Sequence, residues 1–133
     1  MKYMLDTNIC IYIIKKKPYK VVETLKRMVI GDVFISAITQ AELEYGVAKS
    51  QQREKNKIAL TSFLSPLEIL PFSHNAAVIF GQIRATLETK GQIIGAYDLL
   101  IAAHALSENL ILVTNNTNEF SRIPSLLIEN WTN

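Results

Sequence analysis

The chain has 133 residues, 49% of them hydrophobic and 20% charged, with a formal net charge of +2. That length and balance predict one globular domain with a buried core and exclude a disordered chain. No apolar run approaches the ~18 residues of a membrane span, and the charge is too small to mark a nucleic-acid binder by itself.

Hydrophobic spacing and punctuation predict the elements in chain order. Tyr3-Met4-Leu5 is a short apolar strand that runs into Asp6-Thr7-Asn8, residue types that favour helix starts. The early aspartate leaves no signal-peptide apolar region. A helix over Ile9 to Ile14 ends near Lys15-Lys16-Lys17-Pro18, and a second runs from about Val21 to Val29 and stops at Gly31-Asp32. Val33-Phe34-Ile35 is the next strand, after which Ser36 and Thr39 offer caps for a helix through Glu42 to about Ser50. Helix Arg53 to Leu64 and the brief strand Leu67 to Leu70 follow. Val78, Ile79, Ile83 and Leu87 carry helical spacing over 75–90, closed by Gly91. Ala96 to Ser107 is apolar on several sides and predicts a buried helix. Ile111 to Val113 is a strand, and Leu126 to Ile128 a last one.

Strands separated by helices imply crossover connections and a parallel sheet covered on both faces. The predicted architecture is a single three-layer α/β/α domain over 1–133, with sites beyond the carboxyl ends of its strands. Cys10 is the sole cysteine, which excludes an internal disulfide and predicts a reducing cytoplasm, with that thiol as a small buried hydrophobe.

Only three of the twelve acidic residues are aspartates. Asp32 follows Gly31 in a turn and needs no special explanation. Asp6 ends the first strand, and Asp98 sits inside the apolar "YDLLIAAHAL". A lone carboxylate in such surroundings is costly unless it is paired or bound to a cation. Capping explains Asp6 equally well, and helix-dipole complementarity explains Asp98. Glu42 shares a helical face with Ile38, Tyr45 and Gly46, whereas Glu44 shares one with Gln40, Ala41 and Val47, so periodicity leaves both glutamates open. If Asp6, Asp98 and one glutamate converge, they cannot all ionise without a compensating cation. Hard oxygen ligands suit Mg²⁺ or Mn²⁺, which activate water at a phosphodiester. His74 and His104 lack companion ligands at i+3 or i+4, and His104 reads as a helix residue satisfied by its neighbours. Walker A, G-x-S-x-G and G-x-G-x-x-G patterns are absent. Asn8, two residues after Asp6, argues against an aspartyl-phosphate enzyme.

The stretches "YMLDTNI", "AELEYG", "GQIIGAYDLLIAAHAL" and "LVTNNTNEF", in that order and followed by "IENW", resemble the PIN-domain ribonucleases of the VapC toxin family over essentially the whole chain. The resemblance implies a three-layer PIN-like fold with a central parallel sheet and an acidic cluster that holds Mg²⁺ or Mn²⁺ for RNA cleavage. It matches Asp6 and Asp98 to the metal-binding aspartates and Glu42, rather than Glu44, to the helix glutamate. Likeness to the enteric members implies cleavage of initiator tRNA in the anticodon region, and thereby arrest of translation. It also implies a cognate VapB antitoxin that wraps the toxin, a homodimer, and operator DNA bound only through the antitoxin complex.

Two departures stand out. Where many members carry T-N-D, this chain has Thr114-Asn115-Asn116, leaving Glu119 as the only acid of the segment; Glu119 is the expected source of the missing charge, with Asn116 positioning water. Thr114 is expected to hydrogen-bond a water or the phosphate. Tyr97 stands where members often have asparagine, either stacking on a base or filling a rim. Lys15-Lys16-Lys17, the stretch from Lys49, and Arg84 are candidates for holding the RNA backbone. The rival expectations are a non-catalytic interaction module of the same fold and a nuclease acting on another RNA or on DNA.

Overall fold

The computed structural model describes residues 1–133. The chain alternates strands and helices: β1 (Tyr3–Leu5), α1 (Thr7–Lys15), α2 (Tyr19–Lys26), β2 (Val33–Ser36), α3 (Ala37–Ala48), α4 (Arg53–Leu64), β3 (Glu68–Leu70), α5 (His74–Thr89), α6 (Ala96–Ser107), β4 (Ile111–Val113), α7 (Thr117–Phe120) and β5 (Ile128–Glu129). The five strands form one parallel sheet in the order β3-β2-β1-β4-β5. The three-layer α/β/α expectation is met, and no helix is long and apolar enough to cross a membrane.

Alternation along the strands divides the core in two. Met4, Phe34 and Leu112 point to the face packed with Leu99, Ile101, Ala102 and Leu87, while Leu5, Val33, Ile35 and Val113 point to the face packed with Ile9, Ile13, Leu43 and Leu60. Both faces are covered by buried apolar side chains, which is why the strands read as unbroken apolar runs. α6 has six fully or nearly buried residues, as its apolar composition predicted.

Element ends follow local chemistry. Asp6, Ser36 and Ser73 cap α1, α3 and α5 by accepting backbone N–H groups from Ile9, Ile38 and Ala76. Ser36, not Thr39, is thus the cap of α3. Gly91 closes α5 with a left-handed φ of 68°, its N–H donating to Glu88 and that of Gln92 to Leu87. The last strand is β5 at Ile128–Glu129, displaced from the expected Leu126 to Ile128 because Leu126 turns into the core beside Phe120 and Ile123.

The strand order places the site. Connections from β1 run outward through β2 to β3, and the chain then returns to place β4 on the other flank of β1. Leu5 pairs with Val113, so the next residues, Asp6 and Thr114, emerge side by side at the carboxyl edge of this switch point. His104 fastens the helices around it. Fully buried on α6, its Nδ1 lies 2.7 Å from the Oγ of Ser36, the cap of α3. Burial holds the imidazole below its ordinary pKa, and Nε2 lies buried with no hydrogen-bond partner of its own.

His104→Ala removes that bond and opens a cavity beneath both helices. It should cost about 2–4 kcal/mol, read as a lowered urea midpoint; an unmoved midpoint would show that His104 is not a tie between them.

Candidate active site

Four acids reach the switch point from four segments. Asp6 follows β1, Glu42 lies mid-way along α3, Asp98 is in the first turn of α6, and Glu119 is on the single turn α7. Asp6 is 3% exposed; its Oδ1 accepts the Ile9 N–H at 2.9 Å, and its own N–H donates to the Val113 carbonyl at 3.0 Å. The cap and the acidic role foreseen for this residue are therefore compatible: one carboxylate oxygen starts the helix while the other remains for the cluster.

Glu42 and Glu44 part company. Thr7 Oγ1 lies 2.6 Å from Glu42 Oε1 and 3.3 Å from Thr39 Oγ1. A hydroxyl has one proton, so Thr7 gives it to the carboxylate and the Thr39 hydroxyl completes the relay. Glu44 instead pairs with Lys57 on α4 at 2.8 Å, near the surface. Neither Thr7 nor Thr39 was foreseen as part of the site; the only signal was their place at the starts of the two helices that follow β1 and β2.

The electrostatics show that the four acids sense one another. Burial raises the Asp98 carboxyl to about 7, helped by a hydrogen bond with Glu119 and by the negative charges of Glu119, Asp6 and Glu42. Burial also raises Asp6, with Glu42 adding to the rise, while the Thr114 hydroxyl and the Ile9 amide pull it back down. The Glu119 carboxylate beside Asp98 thus favours the protonated form of Asp98. Glu119 Oε1 is buried with no hydrogen-bond partner.

Thr114 is fully buried, and its hydroxyl is engaged by Asp6 and by the Asn116 N–H at 2.9 Å, so it braces the site rather than facing solvent. Asn116 is half-buried at the start of α7. Its neighbour Asn115 bonds the Tyr12 hydroxyl at 3.0 Å. Of the basic candidates, Lys15 lines a groove that Glu42 also lines, whereas Arg84 pairs with Glu88 at 3.3 Å.

Neither ion pair of the chain involves any of these four acids. The orphaned Glu119 oxygen and the raised Asp98 mark a shortage of positive charge, which a divalent cation fits. No three His, Cys, Asp or Glu side chains are gathered tightly enough to hold an ion alone.

The pattern that defines the PIN domain matches residues 3–126. Ribonuclease VapC2 of Rickettsia felis is 52% identical over 98% of both chains. The tRNA(fMet)-specific endonuclease VapC of Salmonella typhimurium is 47% identical, again over 98% of each. Among solved structures, VapBC2 from Rickettsia felis bound to a DNA fragment from its promoter superposes with a TM-score of 0.90 at 50% identity, covering 98% of this chain and 99% of that one.

The raised aspartates give a pH dependence. Asp98 holds its proton more tightly folded than unfolded, so its contribution to stability is full below about 4 and is lost as pH rises through about 7, and the raised Asp6 acts in the same direction. His104, held neutral by burial, works in the opposite direction. Comparison with Asp98→Asn isolates the effect. Without divalent cations, the variant should melt progressively higher than the parent between pH 5 and pH 8 (about one titration's width on each side), and a constant difference would refute the shift.

Proposed function

This chain belongs to the PIN-domain family, among the VapC ribonucleases whose full length it shares, and on that footing we propose that it is the toxin of a toxin–antitoxin pair. Its activity is divalent-cation-dependent endonucleolytic cleavage of initiator tRNA, which arrests translation in the cytoplasm. The observation that carries the metal-dependent chemistry is the meeting of Asp6, Glu42, Asp98 and Glu119 with none of them ion-paired to a cationic side chain. The substrate reading is supported by the tRNA(fMet)-specific relative at 47% identity over nearly all of both chains.

Asp6 and Asp98 would hold the cation, Mg²⁺ or Mn²⁺. When bound, that ion supplies positive charge that acidifies water and offsets charge developing on the phosphate and the leaving oxygen. Thr114 fixes the Asp6 carboxylate, and Thr7 fixes that of Glu42. Glu119 sits beside Asp98, and its charge favours the protonated form of Asp98 until a bound cation would offset it. Asn116 closes the rim with a neutral amide.

An antitoxin is the expected partner, supported by the VapBC2 complex of the Rickettsia relative and its promoter DNA, with operator DNA reached through that partner. A groove of about 320 Å³ lined by Ile11, Ile14, Leu43, Val47, Leu60 and Glu42 gives an apolar segment a seat beside the acids. A homodimer remains part of the proposal on family grounds.

Asp6→Asn should keep its circular dichroism spectrum while Mg²⁺-dependent RNA cleavage falls at least ~100-fold. Mapping new RNA ends after expression should find them in initiator tRNA for the parent and not for the variant. Undiminished cleavage by Asp6→Asn would remove that residue from the site, and ends confined to other RNAs would overturn the substrate.

A further inference from the structure

A solvent-open cleft of about 560 Å³ lies between α3 and the start of α6, walled by Thr7, Asn8, Glu42, Tyr45, Lys49 and Tyr97 among others. Thr7 and Glu42 already belong to the acidic cluster, and Tyr97 directly precedes Asp98. The cleft therefore opens from the place where the phosphate would be cut.

Its two aromatic rings serve no core. Tyr45 is 66% and Tyr97 is 60% exposed, whereas α3 packs inward through Thr39 and Leu43, and α6 through Leu99, Ile101 and their neighbours. One exposed tyrosine needs no explanation. Two lining one cleft beside an acidic cluster leave flat π surfaces available to a planar ligand. Lys49 adds the cleft's cation, its Nζ 4.9 Å from the centroid of the Tyr45 ring. Stacking surface, cation and carboxylates together match the parts of one nucleotide step: base, neighbouring phosphate and scissile phosphate.

We infer that this cleft seats the unpaired nucleobase next to the scissile phosphate, with Tyr97 as its stacking platform, Tyr45 as the second wall and Lys49 on the adjoining phosphate. The inference rests on the ribonuclease reading above. It makes these residues determinants of where the RNA is cut: a base held in a helix cannot enter, so single-stranded loops are selected over duplex.

The test uses the full-length chain carrying Asp98→Asn, which binds without cutting, and short single-stranded RNA containing 2-aminopurine. Tyr97→Leu in that background should weaken binding on the order of tenfold and abolish quenching of the fluorophore, while Tyr97→Phe, which keeps the ring face, should restore both. Lys49→Gln should weaken binding and flatten its salt dependence without altering the quench. Equal affinity and quenching for Tyr97→Leu and its parent would overturn the inference, as would a Tyr97→Phe variant that behaves like Tyr97→Leu. Whether the unmodified chain cleaves RNA with Mg²⁺ is read separately, so failure of the ribonuclease reading is distinguishable from failure of the base cleft.

Discussion

Mutual repulsion among carboxylates that have no ion-pair partner is the constraint on which the site depends. Asp6 and Asp98 both hold their protons above the ordinary aspartate range, first through burial and then through their acidic neighbours. Nothing in a hydrophobic core requires such an arrangement, and without a cation it weakens the folded state as these groups ionise. Strain of this kind persists where the surrounding structure over-determines it and where a bound partner relieves it.

The surroundings do over-determine it. The parallel register sets Asp6 beside Thr114 at the switch point. Thr7 spans from α1 to Glu42 on α3, and His104 ties α6 to the cap of α3. Asp6 and Glu42 are thereby each held by a hydroxyl from another element, Thr114 and Thr7. Trp131, bonded to Glu129 and edge-on to Tyr3, anchors the final segment against the first strand and so gives the "IENW" ending a structural role.

Much of this was legible in the residues. Apolar runs bounded by Gly, Pro and capping residues located five strands and all but the shortest α-helix, since local spacing determines those elements. The rarity of aspartate singled out Asp6 and Asp98. Periodicity could not choose between Glu42 and Glu44, because the choice depends on Thr7 and Lys57, which lie far away in sequence. The four-residue α7 was also illegible: one helical turn has no period to detect, and its Glu119 matters through contact with Asp98. Thr114, expected to hydrogen-bond a water or the phosphate, is fully buried with its hydroxyl against Asp6, a contact between strand ends that local sequence does not reveal.

The most direct test of the uncompensated cluster is the carboxyl carbon chemical shift of Asp98, followed by NMR through a pH titration with and without Mg²⁺. The Asp98–Glu119 pair should show an upper titration step at about 7 without the cation. Saturating Mg²⁺ should move that step down to the ordinary carboxylate range, about 4. A step already near 4 without Mg²⁺, or one near 7 that Mg²⁺ leaves in place, would contradict a carboxylate cluster built to hold a cation.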